Sequence, residues 1–202
     1  LSSSSAASDV YKRQSLLITG DEEGVAINGT KKVVEFLKRK KEKIDFCLVG
    51  EPTNPNKLGE MIKIGRRGSI NGDLTIFGSQ GHVAYPDRAN NPSHTIIKIL
   101  TEIKKIKFDK GTKDFQPTNL EVTKININNT ADNVIPDIAK ATFNIRFNNK
   151  HTSSSLKNKL NKIFKKVTKK NKSNFKIEYR VSGEAFLTKP NKTTYMIQDI
   201  IK

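Results

Sequence analysis

Between residues 69 and 181 the spacing of apolar side chains keeps switching between two periods, and that succession constrains the fold more than any other feature of the chain. Residues 69–77 alternate, with Ile70, Leu74 and Ile76 on one side and Asn71, Asp73 and Thr75 on the other, the period of a strand. Pro92-Ser93 then opens a helix carrying Ile96, Ile99, Leu100 and Ile103. Two more alternating runs, 119–127 and 140–147, predict two strands. Thr152-Ser153 starts an amphipathic helix with Leu156, Leu160, Ile163, Phe164 and Val167 on one stripe, and residues 174–181 form a last strand. The order strand, helix, strand, strand, helix, strand is the ferredoxin-like arrangement.

The segment before this insert reads differently. Leu16-Leu17-Ile18 is a short apolar run, expected to be a buried strand, and it delivers the loop Thr19-Gly-Asp-Glu-Glu-Gly24. Residues 29–41 predict a helix with Val33, Val34 and Leu37 inward. Residues 44–49 predict a second buried strand, in which Cys47 is expected to be a buried structural thiol, followed at once by Gly50-Glu51-Pro52-Thr53. Strand, helix and strand at this length make a βαβ unit, whose parallel strands end on one edge. Glu22, Glu23 and Glu51 are therefore expected to meet. Ligands collect at the carboxyl ends of strands in such sheets. The expected organisation is an α/β fold: a parallel-sheet domain over 15–64, interrupted by the βαββαβ insert over 65–182 and resumed over 183–202. Residues 1–14 are serine-rich, lack the Lys/Asn/Ile character of the rest, and are expected to be a non-native leader. A helix beginning at Thr193 carries no stop signal before Lys202. Both ends thus read as those of a fragment.

Composition removes some function classes. The formal net charge is +17 over 202 residues, which invites a nucleic-acid partner, but aromatics make up 7% and tryptophan is absent, so base-stacking platforms are scarce. The RNA-recognition arrangement is also βαββαβ, yet the third strand, residues 139–147, lacks the glycines of that module's signature. The charge is read as a lysine-rich bias that anionic substrates would also welcome. No apolar run approaches the ~20 residues needed to span a bilayer, and no membrane partner is expected. A single cysteine excludes an internal disulfide framework and fits a reducing compartment.

Two loops carry candidate chemistry. Gly78-Ser-Gln-Gly-His82-Val-Ala-Tyr85-Pro86 holds an imidazole and a phenol on a path fixed by glycines and proline, suited to donating hydrogen bonds to a developing oxyanion. Gly65-Arg66-Arg67-Gly68-Ser69 and the strand-terminal Arg146 supply guanidinium groups, which bind carboxylates bidentately and suit a substrate bearing several of them. His94 and His151 sit beside helix starts and read as surface or capping residues. The lysine run 157–172 reads as a solvated helix face.

The motifs Thr19–Gly24, Gly50-Glu-Pro-Thr53, Gly65–Ser69, Gly81–Pro86, Asn133-Val-Ile-Pro136 and Ser182-Gly-Glu-Ala-Phe-Leu-Thr188 occur in one order. Together they resemble the dinuclear-zinc M20 peptidase and deacylase family, over about residues 15–202. The Arg-Arg-Gly-Ser segment and the His-Val-Ala-Tyr-Pro loop favour its desuccinylase branch over the acetylornithine deacetylase branch, with an aminopeptidase of the same family as a further alternative. The resemblance implies a partial zinc-hydrolase catalytic domain interrupted by a lid and dimerisation domain, and a homodimer formed through that lid. It implies two zinc (or cobalt) ions per subunit, with Glu23 and Glu51 as ligands and Glu22 as the general acid/base. His82 matches a lid histidine that reaches the partner subunit's site and stabilises the oxyanion. Arg66, Ser69, Tyr85, Asn133 and Arg146 match substrate-contacting positions. The family's remaining ligands, a bridging aspartate and a histidine upstream and a second histidine downstream, are absent from residues 1–202. The expectation is an enzyme as a whole protein and an inactive chain as given.

Overall fold

The computed structural model describes residues 14–20, 27–51 and 53–201, and the chain forms two units, residues 1–52 and 53–202. In the first unit, Thr30–Arg39 is helix α1; its lysines point outward, and Val33 and Leu37 are only half-buried. The helix buries none of its side chains. The two apolar runs expected as buried strands are neither strand nor helix. Ile18 is 83% exposed and Leu48 70%, and Cys47 is exposed rather than buried. The physical reason is the company a parallel strand requires. Such strands are stable when paired along their edges and covered by helices on both faces, and among the described residues of this unit α1 is the only regular element.

The second unit contains every element expected between residues 69 and 181. Gly65–Arg66 (β1) leads into Gly68–Phe77 (β2); Gly81–His82 (β3) and a 3-10 turn at Pro86–Arg88 precede Pro92–Lys104 (α2). Asn119–Asn126 (β4), Val134–Ile135 (β5) and Ile138–Phe147 (β6) follow, then Ser153–Lys170 (α3), Asn174–Gly183 (β7), Phe186–Leu187 (β8) and Lys192–Ile200 (α4). The main sheet has the order β4-β6-β2-β7, antiparallel throughout. Consecutive strands are separated by a crossing helix or a long loop, so the first and third insert strands lie centrally, as in ferredoxin-like folds.

Local chemistry explains the helix ends. Asn91 caps α2, its side chain accepting from Ser93 N, with Pro92 at the first helical position. Thr152 and Ser155 form a reciprocal capping box at the start of α3. The inner stripes of both helices pack on one face of the sheet. Ile96, Ile99, Ile103, Leu156, Leu160 and Phe164 join Ile70, Leu74, Ile76, Phe143, Ile145 and Phe147 in a single core, all at most 1% exposed.

Two glycines in β2 shape that core. Gly68 pairs with Phe147 and Gly72 with Phe143, and a Cβ there would lie 2.1 and 2.2 Å from the ring Cζ atoms. The phenyl rings thus occupy the space that the glycine side chains leave. The opposite face of the sheet is polar and self-satisfied. Thr142 Oγ1 donates to Asp73 (2.9 Å), Asn144 Nδ2 donates to Asn71 (2.9 Å), and Arg180 pairs with Asp73.

Candidate functional site

The His82 loop is built as a closed ring. Ser79 N donates to Asn90 O (2.9 Å) and Asn90 N to Ser79 O (3.0 Å), so the loop leaves and re-enters through a two-bond bridge. Gly78 is required at its base, since a Cβ there would lie 2.0 Å from Asn90 O. Inside the ring, β3 pairs with β5, and Val83 N donates to Asn133 O at 3.0 Å. Successive turns follow, with Tyr85 N donating to His82 O (2.9 Å) and Arg88 N to Tyr85 O (3.1 Å). His82, Tyr85 and Asn133 are exposed.

The ring orientation of His82 is set by its own backbone. Ala84 N donates to His82 Nδ1 at 3.1 Å, which makes Nδ1 the acceptor. The neutral imidazole therefore carries its hydrogen on Nε2, leaving a donor available beyond the loop. Tyr85 lies beside it, ring centroids 6.0 Å apart.

The second group of candidates lies at the other end of the sheet. Arg66 belongs to β1, which pairs with β8, and both Arg66 and Arg146 are exposed. Arg146 is the register partner of Ser69 in β2 and of Asn119 in β4. Ser69 itself is 4% exposed, and its Oγ accepts from Asn144 at 3.3 Å. That hydroxyl supports the strand end rather than facing open solvent. Arg67 donates to Pro117 O (3.3 Å) and Asn119 Oδ1 (3.1 Å), and so staples β1 to the loop before β4. The two groups are separated by the length of β2: ten residues at about 3.3 Å each, or roughly 30 Å.

Of the expected carboxylates, Glu51 is exposed in the first unit, while Glu22 and Glu23 lie outside the described residues. Among the described residues no group of three or more His, Cys, Asp or Glu could hold a metal ion, and no helix is long and apolar enough to cross a membrane. The lysines of α3 are a solvated face, as read. Two of them cover rings, Lys159 over Phe108 (5.3 Å) and Lys157 over Tyr179 (5.7 Å).

Sequence reasoning missed one polar centre. Asp109 has a side chain 6% exposed and accepts from Gly111 N (2.6 Å), Asn148 Nδ2 (2.7 Å), Thr118 N (3.3 Å) and His151 Nε2 (3.0 Å). Burial opposes its ionisation, but hydrogen bonds from Thr118, Gly111 and Asn148 outweigh this and hold the carboxyl well below the usual range. His151 is thus a half-buried partner of this carboxylate, not a free surface residue, because the turn before α3 folds back on it. The available signal was Asp109-Lys-Gly111, an Asx-turn sequence whose glycine has φ 82°.

Residues 64–172 match the peptidase dimerisation domain of the M20 family. The chain is 88% identical over 188 residues to a succinyl-diaminopimelate desuccinylase of Pelagibacter ubique (93% of this chain, 49% of the relative). It is 52% identical to one of Parvibaculum lavamentivorans, again covering 93% of this chain and 48% of the relative. The chain therefore spans about half the length of the curated relatives it matches. Among solved structures, the aminopeptidase PepT of Bacillus cereus superimposes with a TM-score of 0.57 at 14% identity (71% of this chain, 36% of that one). A tripeptidase of Staphylococcus aureus gives 0.55 at 14% identity (68% and 35%). These two share the fold. With more than half of its residues matching the dimerisation domain, the chain belongs to the M20 peptidase family.

Proposed function

We propose that the full-length protein is a cytoplasmic, homodimeric, metal-dependent amide hydrolase that releases succinate from N-succinyl-LL-2,6-diaminopimelate in lysine and diaminopimelate biosynthesis. The observation that carries the hydrolase reading is the His82 loop, a closed, hydrogen-bonded ring holding an imidazole with its N–H on the outward nitrogen. Such a donor stabilises the oxyanion that forms when water attacks an amide carbonyl. The sequence shared with the two desuccinylases supports succinate as the acyl group.

The metal centre is proposed as two zinc or cobalt ions with Glu23 and Glu51 among the ligands, Glu22 being the residue that carries the proton. Glu51 is the only one of these three among the described residues, and a single carboxylate does not hold a divalent ion. The described residues therefore contribute recognition and oxyanion stabilisation, with the lid assigned to residues 65–182. Arg66 and Arg146 offer cationic forks to substrate carboxylates, Tyr85 lies beside the imidazole, Asn133 is joined to the His82 loop through its backbone carbonyl, and Ser69 holds the strand end through Asn144.

The distance between the two groups supports the dimer. Roughly 30 Å of strand separates His82 from Arg146, longer than a substrate of this size. One protomer then binds substrate through its arginine end and receives His82 from its partner. The test uses full-length, metal-loaded protein. His82→Ala should lower kcat about 10²–10³-fold, and Arg146→Ala should raise KM. Assayed at a substrate concentration well below the raised KM, where each variant alone is nearly silent, the two variants mixed and re-equilibrated should recover about a quarter of wild-type activity, because half of the dimers are mixed and each has one intact site of two. No recovery would overturn the shared site. Preference for an N-acetyl amino acid over the succinylated substrate would overturn the desuccinylase assignment.

A further inference from the structure

We propose that Arg88 is a carboxylate-binding, specificity-determining residue of the same site, delivered to the substrate together with His82; this rests on the amide-hydrolase reading and deepens it. Arg88 ends the 3-10 turn that follows Tyr85-Pro86, and its backbone N–H donates to Tyr85 O at 3.1 Å. Its guanidinium carbon lies 5.2 Å from the centroid of the Tyr85 ring, whose other neighbour is the His82 imidazole at 6.0 Å. Tyrosine therefore stands between an oxyanion donor and a cation, all three on one closed loop.

Arg88 is exposed, and among the described residues no carboxylate pairs with it. The aromatic face restrains an otherwise flexible side chain while leaving its N–H groups available. A substrate carrying several carboxylates places one of them a short carbon chain away from the scissile carbonyl. With His82 at that carbonyl, Arg88 is positioned for the neighbouring carboxylate, and the two ends of the ligand are read by one rigid segment. Arg66 and Arg146, at the far end of β2, then serve the remaining carboxylates from the other protomer.

The experiment compares wild-type, Arg88→Ala and Arg88→Lys full-length enzymes on three substrates. These are the N-succinyl compound, an N-butyryl analogue lacking the acyl carboxylate, and N-succinyl-cadaverine, which lacks the α-carboxylates. For Arg88→Ala the expected result is a rise in KM of at least about tenfold on the N-succinyl compound, with kcat little changed. The loss should vanish on the one analogue that lacks the carboxylate Arg88 holds, which identifies that carboxylate. Arg88→Lys should fall between, since it keeps the charge and loses the planar fork. Unchanged KM, or an equal loss on all three substrates, would overturn the inference while leaving the hydrolase reading in place. A wild-type enzyme that ignores the N-succinyl compound but hydrolyses an N-acetyl amino acid would overturn the proposed function first and the inference with it.

Discussion

Residues 44–49 and residues 69–77 are both apolar enough to be strands, yet only the second run becomes one. In β2, Ile70 and Ile76 are fully buried, because β6 and β7 bond to its two edges and α2 and α3 cover its apolar face. In the other run, Leu48 and Val49 are 70% and 68% exposed. An apolar pattern states that a segment needs covering; it does not supply the cover. The alternating strand carries half of its own solution, because its polar face tolerates water. A run that is apolar on both faces depends on two further layers.

The largest effect is expected at Phe143, which fills the core over Gly72, with the Phe164 ring tilted against it and the Tyr179 ring edge-on. Phe143→Ala should destabilise the second unit by about 3–5 kcal/mol, read by thermal or denaturant unfolding. Asp109→Asn comes next, at about 3 kcal/mol near neutral pH, since it removes the charge on which three buried donors and the half-buried His151 converge. It also carries a pH signature. Folding lowers the pKa of Asp109, so its contribution is fully present above the ordinary carboxylate range and is lost as pH falls towards the folded value. The wild type should therefore lose stability on acidification below about pH 4, and the variant should lose less; equal acid sensitivity would count against the Asp109 centre.

Gly72→Ala should cost about 1–3 kcal/mol, because the Phe143 ring already occupies the space. The smallest effect is expected at Leu48→Ser, within about 0.5 kcal/mol in this chain, with Cys47 open to rapid labelling by a thiol reagent. A loss of 2 kcal/mol at Leu48, or a protected Cys47, would show that the first unit is covered after all and would erase the contrast.

The insert was legible because each of its elements satisfies itself locally. Periods of two and near four are separated by Pro92, by the Thr152 cap and by polar turns, and each of the four insert strands begins within two residues of its expected start. The site was legible only in part. His82, Tyr85 and Arg146 are candidates that their loops and strand ends suggest, but the separation of the two groups depends on the length and direction of β2. Ser69 is a candidate substrate contact by sequence, and its hydroxyl accepts from Asn144, a pairing that depends on cross-strand register. Asp109 escaped notice because its partners lie from two to 42 residues away in sequence, where only folding assembles them.

The Ser79–Asn90 bridge has a consequence for binding thermodynamics. A loop that meets a ligand ordinarily loses conformational entropy when the ligand orders it, and affinity is reduced by that amount. Here the bridge, the β3–β5 pair and the successive turns restrict the backbone during folding, before any ligand arrives. Binding to this loop should therefore show a small entropic penalty and a fast association rate. Opening the bridge, for example with a proline at Ser79, should slow capture and weaken binding although none of the side chains proposed to contact substrate is replaced.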